Sequence, residues 1–121
     1  HPGAVLALDV VNAPAAYASV EGGLHLERTF AFGDRTVQQF STLTVDRAAQ
    51  RAEILYIYDA TGSDGVVKRL NVPITLRYVF PGEMRLLLER TGFALKRLHG
   101  DYDGSDFSDD SPRMLVIAEA V

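Results

Sequence analysis

Arg77 to Ala118, RYVFPGEMRLLLERTGFALKRLHGDYDGSDFSDDSPRMLVIA, holds start, stop and core signals in an order that reads as helix, strand, acidic loop, strand. Pro81 suits the first helical position, where its missing N–H has no partner to lose. Met84, Leu87, Leu88 and Thr91 recur at i, i+3, i+4 and i+7, one face of an α-helix, while Arg85, Glu89 and Arg90 point elsewhere. Gly92 fits the C′ position, where the backbone turns left-handed and a side chain is penalised. Phe80 stands where a Ser, Thr or Asp cap is usual. Phe93 to His99 is short and apolar-rich, a strand; Met114 to Ala118 is a continuous apolar run of the kind covered on both faces of a sheet.

At the other end of the chain, residues 4 to 11, AVLALDVV, form an apolar strand broken only by Asp9 and closed by Asn12-Ala13-Pro14. An Asp near the exit of a parallel strand lies where open α/β sheets place ligands. The plainer reading of Asp9, and equally of Asn12, is a side chain satisfied by nearby backbone N–H groups. Tyr17 falls in a short Ala-rich segment that can form a helical turn.

Between these ends the hydrophobic period changes to two. Leu24, Leu26, Phe30 and Phe32 alternate with His25, Glu27 and Thr29, and Gly33-Asp34 suits a type II′ hairpin turn. A second strand runs from about Thr36 to Val45, with Val37, Leu43 and Val45 on one face, before a turn at Asp46 to Gln50. Ala52 to Asp59 sets Ile54, Tyr56 and Tyr58 against Glu53, Leu55 and Ile57; Thr61-Gly62-Ser63-Asp64-Gly65 is a strong turn signal. Val66 to Val79 places Leu70, Val72, Ile74, Leu76 and Tyr78 on one face, and Pro73 demotes this strand to an edge, a bulge or two shorter pieces. Clean alternation with short connections predicts a four-stranded antiparallel meander.

Polar residues interrupt its apolar face. Arg28 shares the parity of Leu24, Leu26, Phe30 and Phe32, and Gln39 and Ser41 lie beside Val37 and Leu43. A buried charge without a partner is costly, so Arg28 must pair, reach solvent or face a wet cavity, where a guanidinium suits a ligand carboxylate or phosphate.

Arg77-Tyr78, Pro81 and Glu83, the Leu-rich helix into Gly92-Phe93, Gly100-Asp101-Tyr102-Asp103-Gly104 and Asp110-Ser111-Pro112-Arg113 before a final apolar strand resemble the C-terminal end of class I S-adenosylmethionine-dependent methyltransferases. His1-Pro2-Gly3-Ala4 followed by Val5 to Val11 is similar to the signature around the fifth strand of that fold. The resemblance implies an α+β chain: the C-terminal part of a Rossmann-like methyltransferase sheet, mixed, with the last strand antiparallel and inserted between two others. One main helix and an inserted antiparallel meander complete it. Residues 1–23 and 77–121 then form the methyltransferase core, and 24–76 a substrate-binding or dimerisation element. No Gly-rich loop follows a strand in the manner of a dinucleotide- or S-adenosylmethionine-binding turn. The expectation is a fragment whose N-terminal, cofactor-binding half lies outside it: S-adenosylmethionine serves the full-length parent, a small molecule is the substrate, and the chain alone binds no cofactor and is inactive. A first strand with a bare edge invites pairing, hence an expected homodimer.

At 121 residues, 47% hydrophobic and 23% charged, the chain suits one domain with a real core. A net charge of −4 with scattered Lys and Arg argues against nucleic acid or an anionic membrane as partner. The absence of cysteine removes disulfides, thiolate zinc sites and thiol nucleophiles, and fits a cytoplasmic setting. No apolar run approaches the roughly 20 residues of a membrane span.

If a methyl acceptor must lose a proton, the candidate bases are His25, His99, Asp101 and Tyr102. Arg28, Gln39, Tyr56, Tyr58 and Tyr78 are the candidate substrate-binding residues. The aspartates at 101, 103, 106, 109 and 110 suggest a Ca²⁺ loop, but counting from Asp101 puts Asp106 where Gly is needed and Pro112 where Glu is needed. They read as a solvated loop, with no metal assigned. Serine-hydrolase and P-loop motifs are absent. The competing reading is a non-enzymatic β-rich domain that binds a small ligand or a protein, with Arg28, Gln39, Tyr56 and Tyr58 lining its cavity.

Overall fold

A computed structural model describes all of residues 1–121. The elements in chain order are β1 (Val5–Val10), α1 (Ala13–Ala18), β2 (His25–Phe32), β3 (Arg35–Asp46), β4 (Arg51–Thr61), β5 (Val67–Arg77), α2 (Pro81–Arg90), β6 (Phe93–His99) and β7 (Met114–Ala120). No helix is long and apolar enough to cross a membrane. The chain divides into two compact units, residues 1–19 with 78–121, and residues 20–77.

The first unit is a three-stranded sheet in the order β1-β7-β6, with β7 antiparallel to both neighbours. The last strand thus lies between the other two, and the expectation of a mixed sheet is corrected: both pairings within it are antiparallel. The register puts Leu6, Leu8 and Val10 on the same face as Ala118, Val116 and Met114, and this face packs against Met84 and Leu88 of α2. Met114, Val116 and Ala118 are wholly buried, whereas Leu115 and Ile117 on the opposite face are only partly so. The expectation of a strand covered on both faces is therefore corrected: within this unit α2 supplies a second layer on one side only.

Helix α2 starts at Pro81 and ends before Gly92, whose φ of 87° needs a residue without Cβ. Phe80 makes no side-chain cap hydrogen bond; its ring instead meets Tyr17 and Tyr78 edge-on at 5.7 and 5.9 Å. The buried stripe is narrower than the sequence periodicity implies. Met84 and Leu88 are buried, Leu87 is half exposed, and the Thr91 hydroxyl donates to the Leu87 and Leu88 carbonyls rather than packing in the core.

The second unit is the meander β2-β3-β4-β5, antiparallel throughout. Phe32 pairs with Arg35 around a two-residue turn in which Gly33 has φ of 61°, as a type II′ turn requires. Pro73 lies in β5, an edge strand, where its missing N–H is tolerated. The ladder also corrects the parity of β2. Leu26 pairs with Phe40 but Arg28 pairs with Gln39, so Glu27 is a bulge and Leu26 falls on the face opposite Arg28, Phe30 and Phe32. Strand β5 ends at Arg77, so Tyr78 belongs to the other unit.

Candidate functional site

At the carboxyl end of β1, four polar side chains from three chain segments converge. Asp9 lies near the end of that strand, Asp101 and Tyr102 follow β6, and Arg113 immediately precedes β7. The Tyr102 hydroxyl donates to Asp9 Oδ2 and accepts from Arg113 Nη1 at 2.8 Å. Arg113 Nε donates to Asp101 Oδ1 at 3.1 Å, and its Nη1 is 3.5 Å from Asp9 Oδ2. The guanidinium also stacks over the Tyr102 ring, 4.1 Å from its centre. The hydrogen bond to Asp9 and partial burial raise the Tyr102 pKa, while the Arg113 charge opposes them. At neutral pH this phenol is a hydrogen-bond donor. Beside it lies an apolar pit of about 260 Å³ walled by Ala7, Leu8, Leu115 and Ile117.

Asn12 holds this end of the sheet together. Its Oδ1 accepts from Ala15 N at 3.1 Å, capping α1, and its Nδ2 donates to the carbonyls of Ser108, Asp109 and Ser111 at 3.2, 3.1 and 2.8 Å. The acidic loop is thereby tied to β1. Its aspartates do not converge: Asp101 faces Arg113, Asp103 accepts from Ser105 N at 2.9 Å, and no group of three His, Asp or Glu side chains is placed to hold a metal.

Of the candidate bases, Asp101 and Tyr102 are thus brought together with Asp9. His99 ends β6 with a buried Nδ1 that has no hydrogen-bond partner. His25 begins β2, its Nε2 3.2 Å from the Gly22 carbonyl. Sequence reasoning missed Arg113; its signal was a lone cation between a run of aspartates and an apolar strand.

Of the candidate substrate residues, Arg28 Nε donates to Gln39 Oε1 at 2.7 Å and its guanidinium lies 4.7 Å from the Phe30 ring centre. Gln39 pairs with Tyr58, and Tyr56 pairs with Ser41, so all four candidates of the meander share one face of its sheet. Tyr78 belongs to the other unit, where it is fully buried and edge-on to Phe80.

Strand β1 opens onto α1 through Asn12-Ala13-Pro14, and the Asn12 side chain occupies the helix N–H that a ligand would use. Neither helix start carries a Gly-rich turn after a strand.

No model of a known protein family matches the sequence, and no curated protein matches it. Solved structures do. The methyltransferase CcbJ from Streptomyces caelestis matches all of this chain over 48% of its own, with TM-score 0.79 at 19% identity. CalS10, an amino pentose methyltransferase from Micromonospora echinaspora, matches all of it over 45%, with TM-score 0.72 at 16% identity. An S-adenosylmethionine-dependent methyltransferase from Clostridium acetobutylicum matches 96% of this chain over 44% of its own, with TM-score 0.73 at 8% identity. The chain spans slightly under half the length of the structures it matches. Across its whole length, then, it has the fold of a part of the S-adenosylmethionine-dependent methyltransferases.

Proposed function

We propose that this chain is the C-terminal, substrate-side part of an S-adenosylmethionine-dependent methyltransferase that acts on a small molecule in the cytoplasm. The observation that carries the reading is the match of all 121 residues, sheet and meander together, to slightly under half of such enzymes. The strand order β1-β7-β6 supports it as the far end of a Rossmann-like sheet. Neighbours described as an amino pentose methyltransferase and a sugar N-methyltransferase support a small-molecule acceptor. The cofactor is held by the part of the enzyme without a counterpart here, and the chain alone is inactive. The meander is the substrate-binding or dimerisation element, and Asp9, Asp101, Tyr102 and the histidines His25 and His99 are the groups available to handle an acceptor proton. The β1 edge that does not face β7 is unpaired within the sheet, which favours a homodimer; sedimentation of a monomer at high concentration contradicts that part.

Calorimetric titration of S-adenosylmethionine and S-adenosylhomocysteine tests the reading. The ligands are added to the 121-residue chain and to a polypeptide extended upstream by about as many residues again. Binding by the extended polypeptide alone is expected. Binding by neither, or by the short chain itself, overturns it.

A further inference from the structure

The register of the three-stranded sheet sets one acidic group beside an apolar surface. Asp9 pairs with Leu115 and Ala7 with Ile117. Antiparallel partners point to the same side, so these four share the face turned away from α2. Ala7, Leu115 and Ile117, with Leu8, wall the pit of about 260 Å³, and Asp9 and Tyr102 complete its lining. Asp9 is thus the one charged residue on the wall of the pit.

The Asp9 carboxylate is fixed at one oxygen and open at the other. Its Oδ2 accepts from the Tyr102 hydroxyl and lies 3.5 Å from Arg113 Nη1, whereas its Oδ1 takes no hydrogen bond from the protein. Arg113 does not cancel the charge: its Nε also binds Asp101 at 3.1 Å, so one guanidinium serves two carboxylates. Asp103, Asp106, Asp109 and Asp110 follow in the loop, and residues 101 to 112 contain no Lys or Arg. On the far strand β6, Arg97 and His99 share the face, opposite Ile117 and Leu115, but neither lines the pit. Lys96 lies 4.0 Å from Glu119. The local field at the pit is therefore negative, next to an apolar wall.

We propose that the pit binds a small aliphatic amine in its ammonium form, the carbon body against Ala7, Leu115 and Ile117 and the ammonium on Asp9 Oδ1. A carboxylate held in place by neighbouring donors, with one oxygen still open, is a ready acceptor for a charged N–H group. A neutral hydroxyl gains less from the same oxygen, because hydrogen bonds with ionised partners are the stronger ones, and an anion is repelled. The pit is smaller than the roughly 300–1,000 Å³ of drug-sized pockets, which limits the body to about a single ring. The inference rests on the proposed function in one respect, that the amine is the methyl acceptor and nitrogen the atom methylated. Its test uses neither cofactor nor catalysis, so the two can fail separately.

The test is a titration of cyclohexylamine, cyclohexanol and cyclohexanecarboxylate into the isotope-labelled chain at neutral pH, where the amine is an ammonium, followed by amide NMR. The expected result is saturable shifts at Ala7, Leu8, Asp9, Leu115 and Ile117 with the amine, weaker ones with the alcohol and none with the carboxylate. Asp9→Asn is expected to weaken the amine by about two- to fivefold, the size of one solvent-exposed ion pair, with little change for the alcohol. That variant also alters the Tyr102 hydrogen bond, so Ala7→Leu serves as an independent probe. It fills the pit from an exposed strand position, leaves the carboxylate in place and is expected to abolish binding of both ligands. Asp103→Asn, in the loop and not on the wall of the pit, is expected to leave the affinity for the amine unchanged. Alcohol bound as tightly as amine, equal losses in Asp103→Asn and Asp9→Asn, full affinity in Ala7→Leu, or no saturable shift at the pit overturns the proposal.

Discussion

Arg113 grips Tyr102 twice: its guanidinium lies 4.1 Å from the centre of the ring, and its Nη1 donates to the hydroxyl at 2.8 Å. The same hydroxyl donates to Asp9, so a residue of the acidic loop is fastened to the first strand by a phenol kept protonated.

That arrangement has a pH signature. A phenol whose pKa rises on folding stabilises the fold fully below its ordinary value near 10, and the stabilisation is lost as pH climbs through the raised value. Wild-type stability is expected to decline on the alkaline side with a component that Tyr102→Phe removes. Asp9→Asn removes the largest cause of the shift and is expected to bring the Tyr102 pKa down. Ultraviolet absorbance titration, differenced against Tyr102→Phe, measures it; an unchanged pKa in Asp9→Asn would refute the linkage.

Asn12 is expected to be among the most costly polar residues to replace. Asn12→Ala removes the cap of α1, worth about 0.5–2 kcal/mol, and its part-buried hydrogen bonds to the Ser108, Asp109 and Ser111 carbonyls, at about 0.5–1.5 kcal/mol each. A loss of about 2–4 kcal/mol in denaturant unfolding is expected. Asn12→Asp keeps the cap oxygen but turns an oxygen towards three carbonyls, and should also destabilise.

Gly100 is required by space. A Cβ there would lie 2.8 Å from Ser111 Cβ, closer still to Ser111 Oγ, and 3.1 Å from the Asp106 carbonyl. Gly100→Ala should cost about 1–3 kcal/mol, the range for overpacking. Ser111→Gly in the same chain should recover part of it, which a thermal melt of the double variant would reveal.

The phase of α2 predicts a contrast between neighbours. Leu88 is 4% exposed and Leu86 is 66% exposed. Leu88→Ala should cost about 2–5 kcal/mol, and Leu86→Ser should stay within about 0.5 kcal/mol. Similar losses at both positions would show that the helix buries a different stripe.

The reach of the sequence differs from feature to feature. Pro81 and Gly92 marked both ends of α2, period-two alternation marked the meander, and Pro73 marked its edge strand, because each of these rests on the backbone or side-chain direction of residues close in sequence. Glu27 shows where that stops. Nothing in HLERTFAF marks a bulge, and one extra residue moved Leu26 to the other face while leaving Arg28 with Phe30 and Phe32. Tyr78 continued the alternation of β5 on paper but lies beyond its end, fully buried against Phe80.

The sequence by itself determined the local elements, the apolar stripes and the catalogue of polar residues that could do chemistry. Only the tertiary structure decided which of them meet. Asn12 and Ser108 are 96 residues apart, and Tyr102 and Asp9 are 93 apart. The shared face of Arg28, Gln39, Tyr56 and Tyr58 needs the register of three strands at once. The physical reason is the range of the forces involved: propensity and periodicity act over a few neighbouring residues, whereas hydrogen bonds, stacking and charge pairing act through space between segments that the fold must first bring together.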